Sequence, residues 1–214
     1  MVPRIYRHRV GSVRGKKSSP SRPRCRIVIA VGVSDQFRRV DEVVLHSGFI
    51  FDLVRAEFLS PEGEKFSRDI VRHPGAVSVV PIDDDGRVIM VRQFRPALDR
   101  YILEIPAGKR DVLDEPPELT AQRELGEEIG KRANSLELLG TFANAPGFSD
   151  ELSWVYLGRD LGDVPRDVQG VEESHMRIER FTFDEAFAMI ADGTLIDTKT
   201  VVGLYLAAPK VGGA

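Results

Sequence analysis

Four charged side chains lie within six positions near the middle of the chain: Arg123, Glu124, Glu127 and Glu128. If this segment is helical, Glu124 and Glu128 lie one turn apart on the same face, and Glu127 lies beside them. Like charges at this spacing repel each other, and the C-terminal half of a helix disfavours anions. Nearby basic side chains or a hard divalent cation with oxygen ligands would compensate the charge. A solvated acidic face is the alternative interpretation of the same run.

A helix is expected to carry this cluster from Pro117 to Gly130, where glycine can adopt the left-handed capping conformation. Ala121, Leu125 and Ile129 form an apolar stripe next to the glutamates, so the helix is expected to pack on a sheet.

Strands and a few further helices are expected around this helix. Strands are predicted across residues 40–60, at 66–72, 77–81, 87–93, 101–105, 136–142 and 152–157, and helices at 183–192 and 198–208. The strands at 77–81 and 87–93 are expected to pair as a hairpin around the turn Asp83–Gly86. Strands with interspersed helices indicate a mixed α+β domain rather than a βαβ repeat.

Composition narrows the class of protein. The chain has 214 residues, of which 42% are hydrophobic, enough for one domain with a core, and its net charge of −3 argues against a nucleic-acid-binding polyelectrolyte. The single cysteine, Cys25, excludes an internal disulfide framework and fits a reducing, cytoplasmic location. No apolar run approaches the ~18–20 residues that span a bilayer, so no membrane association is expected.

Charge is distributed unevenly along the chain. Residues 1–39 contain eleven Lys and Arg against one acidic residue, whereas the remainder contains 19 basic and 32 acidic residues. The basic segment is expected to be a disordered extension, with binding to nucleic acid, to a membrane or to the acidic body, or a transit peptide, as alternatives. We expect three regions: this extension at 1–39, a strand region at 40–73, and a second domain at 74–208.

The residues around the acidic cluster resemble the Nudix box, which has a glycine, a glutamate, and then R-E-hydrophobic-x-E-E-x-G on a loop–helix–loop. The matching residues are Gly108, Glu115, Arg123, Glu124, Leu125, Glu127, Glu128 and Gly130. Two positions depart from the pattern: six residues rather than five separate Gly108 from Glu115, and Lys131 stands where an aliphatic residue is usual. The extra residue falls in the loop, so the register of the helix is kept.

Further segments resemble the ADP-ribose pyrophosphatase branch of Nudix hydrolases. They are HPGA at 73–76, RQFR at 92–95, EIPAG at 104–108, APGFSDE at 145–151 and IDTKT at 196–200. Pro146, sixteen residues after Gly130, matches a proline frequent in that branch. The resemblance implies an α/β/α sandwich with a mixed sheet and flanking helices, preceded by an N-terminal antiparallel hairpin region.

A metal site on the helix follows from this resemblance. It implies that Mg²⁺ or Mn²⁺ is bound by the carboxylates of Glu124 and Glu128 and by the carbonyl oxygen of Ala107, with Glu127 as a further ligand, directly or through water. Arg123 is implied to orient a glutamate of the box; a helix ion pair is its alternative role.

The general base is implied to come from a later loop. The polar stretch 162–176 is long and poorly patterned, and it offers Glu172 and Glu173. The resemblance favours Glu173 over Glu172.

Substrate contacts are implied at two further places. Arg95 resembles an arginine that reaches the phosphates, for which a guanidinium fork is suited, and Lys109 would line the same pocket. Because the family is typically homodimeric, Phe49, Ile50 and Arg68 fall where one subunit would contribute to the adenine site of the other. Ordinary strand packing is the alternative for these three.

The expected activity is metal-dependent hydrolysis of the pyrophosphate bond of ADP-ribose or a related ADP-sugar, giving AMP and a sugar phosphate. Another substrate such as GDP-mannose or NADH is the enzymatic alternative. A non-catalytic ADP-ribose sensor that uses the basic segment on nucleic acid is the alternative from a different class. The complete glutamate set argues against the sensor, and no nucleic-acid-binding motif is visible in residues 1–39.

Overall fold

Three sheets and four α-helices make up the part of the chain that the computed structural model describes, residues 36–168 and 170–212. The strands are β1 (Arg38–Ser47), β2 (Asp52–Leu59), β3 (Lys65–Arg72), β4 (Ala76–Pro81), β5 (Val88–Arg95), β6 (Arg100–Glu104), β7 (Ala107–Lys109), β8 (Lys131–Ala143), β9 (Leu152–Asp163) and β10 (Arg177–Phe181). The helices are α1 (Pro117–Ile129), α2 (Val171–Ser174), α3 (Phe183–Ala191) and α4 (Thr198–Val211). Residues 1–35, most of the basic extension expected from the sequence, lie outside the described residues.

The first three strands form an antiparallel sheet of their own, in the order β1-β2-β3. The tight turn between β2 and β3 is closed by the amide of Gly63, which donates to the carbonyl of Ser60 at 3.0 Å. The end of β3 is joined to the rest of the chain, because Val71 pairs with Ser149 and Arg72 donates to the Asp150 carboxylate at 2.9 Å. The expected N-terminal strand region is therefore a three-stranded sheet attached through the loop between β8 and β9.

The other seven strands form the middle of the fold. They make the sheets β10-β5-β6 and β7-β4-β9-β8, in which only the pair β4–β9 is parallel. One face packs against α1 through residues such as Val79, Ile89 and Leu125, and the other packs against α3 and α4 through residues such as Met90 and Leu204. Helices on both faces of a mixed layer confirm the expected α+β sandwich.

The hairpin expected from residues 77–93 is wrong in its pairing. The turn forms, with the amide of Gly86 donating to the carbonyl of Asp83 at 3.0 Å, but only an isolated bridge joins Ile82 to Val88. The two strands then enter different sheets. Strand β4 lies between β7 and β9, and β5 lies between β10 and β6. Each strand thus satisfies the backbone groups of both edges with strands from elsewhere in the chain.

The helices begin and end close to where local signals place them. Helix α1 ends at Gly130, whose φ of 64° is left-handed as expected. Helix α3 starts with a capping box between Thr182 and Glu185, and α4 starts at Asp197, whose side chain accepts the amide of Thr200. Helix α4 extends to Val211, three residues beyond the expected end.

Candidate active site

Helix α1 directs its glutamates toward strand β7 because its apolar stripe is fixed on the sheets. Ala121 and Leu125 are fully buried, and this register also buries Glu124 and Glu128, which are 8% and 3% exposed. Glu127 is half-buried beside them. The structure therefore excludes the solvated acidic face as an explanation of this cluster.

Gly108 leaves the space that the carboxylate of Glu124 occupies. A Cβ atom at this position would lie 1.9 Å from Cδ of Glu124 and within 2.2 Å of both of its oxygens. Only glycine permits so close an approach between β7 and α1. This contact gives a physical reason for the first glycine of the box-like motif.

Glu128 is a buried carboxylate that forms no direct ion pair in the described part of the chain, although the positive charge of Arg95 acts on it. It accepts the backbone amide of Ala107 at 3.0 Å. Burial raises the pKa of Glu128 to about 8; the Ala107 hydrogen bond opposes this shift and the charge of Glu124 adds to it. A carboxylate in this environment requires either a proton or a cation.

Glu124 has a similar environment with one compensating charge. Burial raises its pKa to about 7 although Arg123 opposes the shift, and the negative charge of Glu127 adds to it. Arg123 Nη1 lies 2.9 Å from Oε1 of Glu124 and 3.0 Å from Oε2 of Glu127. Its Nη2 lies 3.5 Å from Asp111 and 3.7 Å from Glu115. One guanidinium therefore lies within 4 Å of four carboxylates, and one of these contacts, with Glu127, is an i,i+4 ion pair on the helix.

The two candidates for the general base differ in their surroundings. Both belong to the short helix α2. Shortly after this helix, Met176 is buried in the core beneath α1. The charge of Glu173 raises the pKa values of Glu124, Glu127 and Glu128. Glu172 is exposed, and its charge is not among the main influences on these pKa values. The structure thus brings Glu173, rather than Glu172, toward the acidic face of α1.

Arg95 is engaged by a residue to which the sequence assigned no role. Its Nε and Nη2 atoms lie 2.6 and 2.8 Å from the two oxygens of Glu104, which is 1% exposed. Lys199 of α4 also donates to Glu104. Glu104 and Lys199 lie within the segments EIPAG and IDTKT, which resemble the family. They are 95 residues apart, so no local spacing pattern connects them.

The remaining predicted contact residues are only partly brought together. The ammonium of Lys109 lies 4.3 Å from the ring centroid of Phe49, at the turn between β1 and β2, and 3.3 Å from Asp111. Phe49 is 85% exposed and the adjacent Ile50 is also exposed. Arg68 on β3 makes separate contacts, with the Ser67 carbonyl at 2.8 Å and over the Phe66 ring.

The donor set on α1 fits a hard divalent cation. Oxygen ligands are supplied by two buried carboxylates with raised pKa values, by a third carboxylate beside them and by the Ala107 backbone. Across residues 36–168 and 170–212, no three His, Cys, Asp or Glu side chains are gathered closely enough to hold a metal ion as they stand. In the same residues, no helix is long and apolar enough to cross a membrane.

Comparisons with known proteins agree with this geometry. Residues 72–201 match the family model described as the NUDIX domain. The chain is 39% identical over 168 residues to the ADP-ribose pyrophosphatase of Mycobacterium tuberculosis H37Rv, covering 78% of this chain and 81% of that protein. It is 38% identical over 160 residues to the ADP-ribose pyrophosphatase of Bacillus subtilis 168, covering 75% and 86%.

A solved structure supports the fold independently. The crystal structure of an ADP compounds hydrolase aligns with a TM-score of 0.71 at 22% identity, covering 83% of this chain and 95% of that one. The family model spans well over half of the chain and includes the whole of β4 to α1. The chain therefore belongs to the Nudix domain family.

Proposed function

We propose that this protein hydrolyses the pyrophosphate bond of ADP-ribose, or of a related ADP-sugar, to AMP and a sugar phosphate. One observation supports this above the others: a complete and buried glutamate set lies in a chain that is 38–39% identical to two ADP-ribose pyrophosphatases over three quarters of its length. We place the reaction in the cytoplasm, because a single cysteine is typical of proteins in a reducing compartment.

Nudix hydrolases generally require a divalent metal ion, and we propose Mg²⁺ or Mn²⁺ here. The carboxylates of Glu124 and Glu128 would hold it together with the carbonyl oxygen of Ala107, and Glu127 would contribute directly or through water. When bound, the cation stabilises the charge that develops on the phosphoryl oxygens and acidifies water. The burial of Glu128 and its lack of a direct ion pair in the described part of the chain support this assignment.

Glu173 is the residue that we propose as general base. Its carboxylate would accept a proton from the water that attacks phosphorus, and the sugar phosphate or AMP would leave in line with that attack. Its electrostatic effect on Glu124, Glu127 and Glu128 supports this position beside the reacting groups. The exposure of Glu172 supports Glu173 over its neighbour.

Two cations on the β5–β7 side are proposed to bind the pyrophosphate. Arg95 presents a guanidinium fork, and Lys109 presents a compact charge next to Gly108. Arg123 would act on the glutamates rather than on substrate, because four carboxylates already surround it.

We propose that the active protein is a homodimer in which Phe49, Ile50 and Arg68 contribute to the adenine-binding side of the site. The exposed apolar residues Val43 and Val44 on the edge strand β1 support this, because a long apolar edge is usually covered. Within one chain, Phe49 already lies against Lys109, so the hairpin tip is close to a proposed phosphate-binding residue. Sedimentation velocity would test this: Val44→Lys is expected to give monomers, and a wild-type monomer would contradict it.

Release of the nucleoside monophosphate with Mg²⁺ would test the activity: AMP from ADP-ribose, ADP-glucose and NADH, GMP from GDP-mannose, and dAMP from dATP. We expect ADP-ribose to be cleaved best. Glu128→Gln should lose at least about 100-fold in kcat, since several kcal/mol of charge stabilisation depend on the metal site. The matched control is Glu118→Gln, an exposed glutamate on the same helix, which should behave as wild type.

The outcomes separate the parts of the proposal. If GDP-mannose or NADH is preferred and Glu128→Gln is still inactive, the substrate assignment is wrong and the metal site stands. If no compound is cleaved with any divalent metal, the protein is not a pyrophosphohydrolase of this class, and ADP-ribose binding without turnover becomes the explanation to test.

A further inference from the structure

A buried carboxylate joins three elements beside the proposed pyrophosphate site. Glu104 at the end of β6 is 1% exposed, and it contacts one cation from β5 and one from α4. Burial alone would raise the pKa of Glu104, but hydrogen bonds and charges from Arg95 and Lys199 outweigh it and hold the pKa below its ordinary value. Glu104 is therefore an anion at neutral pH and depends on both cations.

The contact with Glu104 leaves one side of the Arg95 guanidinium available. Glu104 accepts from Nε and Nη2, whereas Nη1 makes no hydrogen bond within the part of the chain that the structure describes. The side chain of Arg95 remains 37% exposed. The charges of Glu128 and Asp197 both raise the pKa of Arg95, so the guanidinium lies between α1 and the start of α4. The charge of Arg95 therefore acts on a carboxylate of the proposed metal-binding face.

Lys199 attaches Glu104 to the first turn of α4. Its ammonium donates to Glu104 and, at 2.7 Å, to Asp197, and the side chain is only 15% exposed. Asp197 caps the helix by accepting the Thr200 amide at 3.0 Å, and the Thr200 hydroxyl accepts the Ile105 amide at 2.9 Å. The lysine is therefore held on a rigid helix end that is itself bonded to the residue after Glu104.

We propose that Glu104 and Lys199 are positioning residues that hold Arg95 ready for a phosphate group of the substrate. This inference rests on the proposed pyrophosphohydrolase function. Glu104 fixes one edge of the guanidinium so that the Nη1 edge faces the pyrophosphate. Lys199 is a second cation on Oε2 of Glu104, so that the carboxylate stays in place and paired when Arg95 binds substrate.

The expected effect of losing Lys199 follows from charge pairing. Without it, the buried carboxylate of Glu104 has Arg95 as its only described cationic partner. A substrate phosphate that binds Arg95 must then compete with the buried Glu104 carboxylate. Weakening the only remaining ion pair of a buried anion costs free energy. Substrate binding should weaken, whereas the metal site and the base on α2 are untouched.

Lys199→Met tests this, because methionine keeps the length of the side chain and removes its charge. We expect the KM for ADP-ribose to rise about tenfold with kcat changed less than about threefold, as when one charge-assisted hydrogen bond is weakened. The Kd of a non-hydrolysable α,β-methylene analogue of ADP-ribose, measured by calorimetry, should rise in parallel. Lys199→Arg should restore most of the KM.

Lys210→Met is the matched control. Lys210 lies on the same helix and also forms an ion pair, with Glu137 at 2.6 Å, but it is far along α4 from Glu104. We expect its KM and kcat to equal those of wild type. Thermal denaturation of all variants would report any loss of folding.

Several results would overturn the inference. An unchanged KM in Lys199→Met would show that Lys199 does not position Arg95. A change in both KM and kcat that Lys199→Arg does not rescue would show a purely structural role. If Lys199→Met does not fold, Glu104→Gln replaces it, and an unchanged KM in that variant would be equally decisive. Wild-type protein that neither cleaves nor binds ADP-ribose would instead refute the proposed function itself.

Discussion

Replacing Gly108 by alanine should abolish most of the activity of this protein while leaving it folded. The new Cβ would lie 1.9 Å from Cδ of Glu124, whereas carbon atoms make ordinary contact at about 3.5–4.0 Å. The carboxylate must therefore move by roughly 2 Å. Misplacing a reacting or ligating group by about 1 Å can cost about 100-fold in rate, so kcat should fall by at least that factor.

The cost to stability should be small because the atoms that must move belong to the end of a flexible side chain. Strain from one extra methyl group costs about 1–3 kcal/mol, and the reduced freedom of the unfolded chain returns about 0.4–1 kcal/mol. We expect a melting temperature a few degrees below that of wild type and a weakened affinity for Mg²⁺. AMP release from ADP-ribose, a Mg²⁺ titration and thermal denaturation would measure the three quantities.

Gly126→Ala on the same helix is the control for this substitution. Its Cβ would meet only Val164 at an ordinary 3.7 Å, and alanine is favoured over glycine in a helix by about 1 kcal/mol. This variant should be active and at least as stable as wild type. Gly108→Ala with activity within threefold of wild type and unchanged Mg²⁺ affinity would refute the reasoning, as would a failure of that variant to fold.

Three further predictions concern the base, pH and packing. Glu173→Gln should lower kcat by about 10²–10⁴-fold with little change in KM, whereas Glu172→Gln should match wild type. Steady-state kinetics of the two variants would measure this, and the reverse pattern would assign the base to Glu172. Burial raises the pKa values of Glu124 to about 7 and of Glu128 to about 8, so both carboxyl groups must lose their protons before metal binds. The affinity for Mg²⁺ should therefore rise from pH 6 to pH 9, with release of protons on binding. A pH-independent affinity, measured by calorimetry, would contradict this. Gly203→Ala should lower the melting temperature, because its Cβ would lie 2.8 Å from a core methyl group. Overpacking costs about 1–3 kcal/mol, which exceeds the gain in helix propensity. A more stable variant would show that the neighbouring core side chains can move to accommodate the methyl group.

Features with local signals could be predicted from the sequence. Helix α1 was found because its apolar stripe and the left-handed Gly130 are all encoded within fourteen residues. The acidic cluster was found for the same reason, since helical spacing brings Glu124 and Glu128 together. The sequence did not show whether the acidic face of α1 was exposed to solvent. Its burial against β7 in the structure excludes a solvated face.

Features that depend on distant partners could not be predicted. Strands β4 and β5 follow each other along the chain, which suggests a hairpin, but each pairs on both edges with strands from elsewhere in the chain. Glu104 and Lys199 meet across 95 residues, so no spacing rule connects them. Glu172 and Glu173 are identical in type and adjacent, and only the orientation of α2 distinguishes their surroundings.

The three-stranded sheet β1–β3 almost entirely precedes the region that matches the family model, which starts at residue 72. It reaches the proposed phosphate-binding side through Phe49 at a hairpin tip, and it is joined to the later chain through Val71 and Arg72. The carboxylates proposed to bind metal, in contrast, are all on α1. On the proposed assignment, a substitution at that tip would change contacts to the bound nucleotide without touching the carboxylates of α1, so substrate preference and hydrolytic chemistry would be separable by mutation.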